Sequence, residues 1–216
     1  MKTKFIAAIS IISAAVLGST AAVVLPASAA DPTTFVYAGD SITARSDSWL
    51  YQNTNTNFQN KGGFARAGWR SDQVLSGVRQ TSFLDGADVA VIEVGSNDVN
   101  QQVPTSTILA NIDLIAGELH ARHTLLVALP PANPDADSDY GTNRQVANTA
   151  LNPILAEHAM TKGWLYADPF AKYRKGDGSY VAGATDDAVH PNTVTNKDLS
   201  RYFMRLIQQT ESGSTK

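Results

Sequence analysis

The sequence holds 216 residues, 43% hydrophobic and 17% charged, with a formal net charge of −3 and no cysteine. Such a composition excludes disordered, collagen-like and disulfide-stapled chains, and it rules out metal sites built on thiolates. Beyond residue 30 the chain carries 15 basic and 20 acidic side chains, so it lacks the dense basic face that nucleic acid requires.

Residues 1–30 read as a secretory signal. Lys2 and Lys4 supply a basic start, an apolar stretch runs from Phe5 to about Val24, and Ala27, Ser28, Ala29 and Ala30 form a small-residue end. Cleavage is expected near Ala30 or Asp31, giving an extracellular protein without stable membrane insertion. The alternative is an uncleaved anchor, because the apolar stretch is nearly long enough to span a bilayer. The remaining 186 residues suit one domain, which at that size buries about 70% of its unfolded surface and needs no staples.

From Asp31 onward, apolar runs of strand length alternate with amphipathic segments of helix length, the pattern of an α/β fold with parallel strands and covering helices. The first strand is Thr33 to Ala38, apolar enough to be buried on both faces, and it ends at Gly39-Asp40-Ser41. This sharp strand-to-helix turn can present Ser41 as a nucleophile, although the same letters also suit a helix N-cap. No G-x-S-x-G elbow occurs in the chain. A weaker strand, interrupted by Gly62 and Gly63, is expected within Phe58 to Arg66, followed by Ala67-Gly68-Trp69 and a helix from Ser71 to about Arg79.

The strongest strand signal is Asp88 to Val94, which leads into Gly95-Ser96-Asn97-Asp98. In open parallel sheets ligands bind beyond the carboxyl ends of the strands. Asn97 there can aim a side-chain N–H at the crevice that holds Ser41, or it can serve as a turn residue. Ile108, Ile112, Ile115 and Leu119 recur at helical spacing over Thr105 to Ala121. A strand from Thr124 to Leu129, a helix from Thr142 to Lys162, a strand from Trp164 to Ala167 and a helix from Thr193 to Gln208 complete the series. That gives about five strands in a domain over residues 31–210, with 211–216 expected to be a disordered tail.

The loop before the last helix reads Asp187-Ala188-Val189-His190-Pro191-Asn192. A carboxylate three residues before an imidazole on a loop can hold Nδ1–H and leave Nε2 free to take a serine proton. Asp186 is the competing acid, and a surface His with a local Asp is the competing reading. His120, His123 and His158 fall in expected helices and have no such partner.

Taken in order, GDSIT, ARAGW, GSND and DAVHPN closely resemble the four sequence blocks of the SGNH hydrolases, also called GDSL-type esterases, over essentially the whole chain beyond the signal. Ile42 replaces the Leu of the family nickname. The resemblance implies a three-layer, flavodoxin-like α/β/α sandwich and a catalytic triad of Ser41, His190 and Asp187. It also implies an oxyanion hole from the Ser41 and Gly68 N–H groups and the Asn97 side chain, with no cofactor. Gly62 and Gly63 are alternatives to Gly68. The expected activity is that of a monomeric serine esterase acting on short acyl groups, such as acetate, on extracellular glycans or small esters. One alternative is a lipase or lysophospholipase with an acyl groove lined by Trp49, Phe64 and Trp69, and another is a non-catalytic glycan-binding module.

Two further features stand apart from these blocks. Asp135, Asp137 and Asp139 alternate as in a calcium loop, but the glycine falls one place late, at Gly141, and position twelve is Val146. Glu93 ends a buried strand, where a lone carboxylate is costly unless paired. An arginine such as Arg66 or Arg70 is the expected partner.

Overall fold

A computed structural model describes residues 31–82, 85–136 and 140–213. The expected signal at 1–30, Asp137 and Asp139 of the acidic loop, and the last three residues of the expected tail lie outside the described residues.

Five strands form one parallel sheet in the order β2-β1-β3-β4-β5, comprising β1 (Thr33–Gly39), β2 (Phe58–Ala65), β3 (Val89–Glu93), β4 (His123–Val127) and β5 (Leu165–Ala167). The connections contain α1 (Ser41–Ala44), α2 (Ser71–Gln80), α3 (Ser96–Asn100), α4 (Thr105–Glu118) and α5 (Arg144–Lys162), and α6 (Thr193–Glu211) closes the chain. The α/β expectation and all five strands are therefore present. The expected tail is corrected at its start, since α6 extends through Glu211.

The period of two along the strands divides the core into two layers. Val36, Ala38, Ala90, Ile92 and Leu126 face one side, where α2, α4 and α5 bring Val74, Val78, Ile108, Ile112, Ile115 and Leu155. Phe35, Val89, Val91, Leu125 and Val127 face the other, against Leu199, Phe203 and Ile207 of α6. Trp49 is fully buried in that second layer, stacked on Phe203 with ring centroids 4.0 Å apart. It is core and lines no acyl groove, which corrects that expectation. Phe64 is half-buried, 5.2 Å from the Trp69 ring, and it packs so closely on Gly77 that a Cβ there would come within 2.3 Å of it.

The glycines that blur β2 in the sequence have a packing reason. A Cβ on Gly63 would lie 2.1 Å from the carbonyl oxygen of Tyr37, at the point where the β1–β2 register shifts. Gly62 and Gly63 thus serve the strand, and Gly68 is the glycine left in the following loop.

The two longest helices, α5 and α6, start on side-chain caps. Asn143 accepts from the Val146 N–H at 3.1 Å and Asn192 from the Thr195 N–H at 3.1 Å. α5 carries Pro153 in its interior, and the neighbouring Asn152 exchanges two hydrogen bonds with the Leu129 backbone, fixing the helix to the end of β4.

Among the described residues no helix is long and apolar enough to cross a membrane.

Candidate active site

The four chain segments expected to carry chemistry lie at the carboxyl edge of the sheet, where Ser41 contacts His190 and Asn97 contacts Trp69. β1 ends at Gly39, where a Cβ would lie 2.5 Å from Thr43, so the chain turns tightly into α1. Asp40 caps that helix by accepting the Ile42 N–H at 3.0 Å, and Ser41 becomes its first residue. A first-turn N–H has no intrahelical acceptor, so the Ser41 amide is available to an incoming anion.

Ser41 Oγ lies 2.8 Å from His190 Nε2, and His190 Nδ1 lies 2.8 Å from Asp187 Oδ2. Asp187 Oδ1 accepts the backbone N–H groups of His190 at 2.7 Å and Val189 at 3.1 Å. Ala188 takes φ +69° between them, a left-handed turn that folds both amides onto one oxygen. Asp186 is turned elsewhere, accepting from Asn192 Nδ2 at 3.2 Å. The imidazole contacts are thus made to Asp187, at the spacing read from the sequence.

The charge states follow from these contacts. Burial alone would raise the Asp187 carboxyl, but the His190 amide and imidazole and the Val189 amide bring it down to about 2. It is therefore ionised and fixes the tautomer in which Nδ1 donates and Nε2 accepts the Ser41 hydroxyl proton. For His190, burial lowers the imidazole below its ordinary 6.5, and the charges of Arg45 and Arg144 act the same way against the raising effect of Asp187. The carboxylate partner alone would raise it. Desolvation wins because the ring is largely enclosed, while Asp187 also spends its charge on two backbone amides.

Asn97 is the second residue of α3, a short helix that the sequence reading missed. Its Nδ2 donates to the Trp69 carbonyl at 3.0 Å, which leaves one N–H and ties α3 to the loop holding Gly68. Gly68 is exposed with φ +79°, and nothing lies within 4 Å of where a Cβ would stand. Next in sequence, Asp98 accepts the Ser71 N–H at 2.8 Å and the Ser71 hydroxyl at 2.5 Å, anchoring the start of α2 to α3. Asp98 is thus a supporting residue of the site, a role its place in the sequence does not announce. Its signal was an acidic side chain beside Asn97, in a segment too short to show helical periodicity.

Glu93 and Asp40 form a buried pair beneath Ser41. Both are fully buried, and residue 40 donates its backbone N–H to the Glu93 carbonyl at 3.2 Å. Glu93 Oε2 accepts the Thr43 hydroxyl at 3.0 Å, and Thr43 in turn accepts from Trp49 Nε1 at 3.2 Å. The expected arginine partner is not there. Arg70 pairs with Asp72 at 3.0 Å, and Arg66 lies over the Trp69 ring, 4.6 Å from its centroid. Burial, then the neighbouring Asp40 charge, pushes Glu93 well above its ordinary value, while burial raises Asp40 to about 7. Both shifts favour the protonated carboxyl, the alternative to an ion pair.

Carboxyls whose folded-state pKa is raised stabilise the fold below their unfolded values and lose that contribution as pH climbs through the folded ones. Thermal stability should therefore decline across neutral pH as this pair ionises. Glu93→Gln, which is uncharged at every pH, should melt about 2–4 °C above the parent at pH 8, the response of a domain this size to about 1 kcal/mol, with no gain at pH 4. Melting curves at the two pH values check this.

The other histidines lie away from the site. His120 follows α4 and contacts Asp85 at 3.2 Å, His123 opens β4, and His158 in α5 contacts Asp113 at 2.7 Å. The helical placement expected for His120 and His123 is corrected accordingly. A cleft of about 930 Å³ lined by Asp113, His123, Lys162 and Trp164 sits at the amino ends of β4 and β5, the opposite edge from Ser41. Among the described residues no cluster of three metal-ligating side chains occurs.

Chemically, the arrangement offers a hydroxyl in contact with an imidazole acceptor, with an ionised carboxylate behind that imidazole. These are the parts of acyl transfer.

Comparison with known proteins bears on the family and the fold. The sequence profile of the GDSL-like lipase/acylhydrolase family matches residues 37–197. Solved structures share the fold at low identity. A GDSL-like lipase from Bacteroides thetaiotaomicron VPI-5482 is 19% identical, with 82% of this chain and 88% of that one covered at a TM-score of 0.64. A carbohydrate acetylesterase from Sinorhizobium meliloti is 13% identical, with 82% and 98% covered at 0.63. The aryl esterase of M. smegmatis is 13% identical, with 82% and 99% covered at 0.61. No curated protein matches the sequence.

Proposed function

Because the chain belongs to the GDSL-like lipase/acylhydrolase family, we propose that it is a secreted, monomeric serine esterase that removes short acyl groups, acetate foremost, from glycans or small esters. The observation that carries this reading is the unbroken chain from Ser41 Oγ through His190 to Asp187, with both contacts at 2.8 Å.

In the reaction, Ser41 Oγ attacks the ester carbonyl carbon as its proton passes to His190 Nε2. The carbonyl oxygen becomes an oxyanion held by the Ser41 and Gly68 N–H groups and Asn97 Nδ2. Collapse of this adduct breaks the bond to the alcohol, which leaves with the proton from His190. Water then gives its proton to His190 and attacks the acyl-enzyme, and a second collapse restores Ser41 and releases the acid. Asp187 remains ionised throughout and stabilises the imidazolium of each step.

Three observations favour a small acyl group over a lipid chain. Trp49, one of the two tryptophans expected in an acyl groove, is committed to the core. Both Phe64 and Arg66 pack on Trp69. One structural neighbour is described as a carbohydrate acetylesterase. Secretion rests on the basic start, apolar stretch and small-residue end of residues 1–30.

Hydrolysis of p-nitrophenyl esters of increasing acyl length, with acetylated polysaccharides alongside, tests the substrate class. Highest kcat/KM on acetate is expected, and a maximum at eight or more carbons would overturn the short-acyl reading. Intact mass of protein from the culture medium should correspond to a start near Ala30 or Asp31.

Asn97→Ala should lower kcat about 100- to 1000-fold with little change in KM, because the donor acts chiefly once charge has developed on the oxygen. Steady-state kinetics on a soluble ester check this, and an unchanged kcat would leave Asn97 as a tie to Trp69 alone.

A further inference from the structure

The bonds that shape the Asp187–His190 loop are largely its own. Asp187 caps the Val189 and His190 amides, and on its far side the loop is held by Tyr180 Oη donating to the Val189 carbonyl at 3.1 Å and the Asn133 amide donating to the Ala188 carbonyl at 2.8 Å. None of these reaches the turn that carries Ser41, although nucleophile and base lie 149 residues apart in sequence.

Arg45 makes that link. It is the C-cap of α1, and its amide donates to the Ser41 carbonyl at 3.2 Å, so its backbone belongs to the nucleophile's own turn. Its Nη1 lies 3.5 Å from Asp187 Oδ2, the same oxygen that accepts from the imidazole. Its Nε lies 3.2 Å from Asp47 Oδ1, and Asp47 Oδ2 accepts the Thr193 hydroxyl at 3.0 Å at the start of α6.

We propose that Arg45 is a positioning residue of this site: with Asp47 and Thr193 it straps the Ser41 turn to the Asp187–His190 loop and to the start of α6, and it sets a positive charge against the carboxylate that holds the imidazole. The inference rests on the esterase reading for its consequence in catalysis but not for the contact itself.

The physical argument has two parts. A guanidinium at the carboxylate oxygen that receives Nδ1–H competes for that oxygen's charge, so Asp187 offers an imidazolium less compensation than it would alone. The charged groups facing His190 are Asp187 on its own loop, Arg45 from the end of α1 and Arg144 from the first turn of α5; Ser41 faces Nε2. Asp187 is faced by Arg45, by the Thr185 hydroxyl at 3.5 Å and by Tyr180. Among the described residues Arg45 is therefore one of two cations acting on the base and the one in contact with its carboxylate. The strap also confines Ser41 and His190 to one geometry, and small displacements of reacting groups cost rate steeply.

The side chain of Arg45 is 41% exposed, which bounds the effect at that of a screened surface pair. The test uses Arg45→Gln, which removes the charge and shortens the fork, and Arg45→Lys, which keeps the charge. Two readouts are taken on the full protein: the imidazole titration of His190 by NMR, and the pH dependence of kcat/KM on p-nitrophenyl acetate. Arg45→Gln should move the His190 titration and the acid limb of kcat/KM to higher pH by about half a unit. It should also lower plateau kcat on the order of tenfold. Arg45→Lys should recover most of the titration shift but not the lost kcat, and added salt should shrink the difference between parent and Gln variant.

An unmoved His190 titration in Arg45→Gln, with ester hydrolysis intact, would overturn the inference and leave the esterase reading standing. A shifted titration in a protein that hydrolyses no ester would uphold the Arg45 contact and overturn the esterase reading.

Discussion

Replacing Ser41 with alanine is expected to reduce kcat on short esters by about a million-fold, the scale on which serine hydrolases lose activity when the nucleophile is deleted. The change removes one half-buried hydroxyl whose contact is with the imidazole. Asp40 still caps α1 and Ile42 still packs in the core, so the melting temperature should stay close to that of the parent. Loss of rate without loss of fold separates a chemical role for Ser41 from the helix-cap role that the sequence also allowed. Residual hydrolysis within about tenfold of the parent, a small part of that expected loss, would remove Ser41 from the reaction.

The second large effect concerns the base. His190→Ala should cost about as much as the loss of Ser41, because the two act as one unit. Asp187→Asn should cost less, about 10,000-fold, since the ring can still be held near Ser41 while the preferred tautomer is lost. Asp186→Asn should have a minor effect, its contact being with Asn192. A larger loss from Asp186→Asn than from Asp187→Asn would reassign the acid.

The pH profile should carry the same signature. With His190 held below 6.5 by burial, the neutral, proton-accepting ring prevails at and above that pH, and kcat/KM should rise to its plateau with an apparent pKa below 6.5. An acid limb above that value would mean that the carboxylate, rather than desolvation, governs the base.

How much of this was legible in the sequence depended on the range of the interaction concerned. β3 reads as a strand because five consecutive residues are buried on both faces, and α4 reads as a helix because one stripe of isoleucines meets the sheet. The Ser41–His190–Asp187 contacts were legible because each residue sits in a short local block next to a strand or helix end. The strap from Arg45 through Asp47 to Thr193 was not, since it joins residues 146 apart in sequence through side chains that are ordinary surface types. Glu93 misled for a related reason. A buried carboxylate predicts some form of neutralisation, but the sequence cannot say whether a cation or a proton supplies it. Here burial and the Asp40 carboxyl beside it favour the proton, against the lowering effect of the Thr43 hydroxyl. Trp49 misled because an aromatic residue in the segment after a nucleophile suits a substrate groove as well as a core, and only the stack on Phe203 decides between them.

The central claim is that Ser41 is an activated nucleophile, and the measurement that addresses it most directly is covalent labelling with a fluorophosphonate, followed by mass mapping of the modified peptide. One label per chain on Ser41, absent in Ser41→Ala and strongly slowed in His190→Ala, is the predicted result; no labelling of the folded protein, or a label on a different serine, would contradict it.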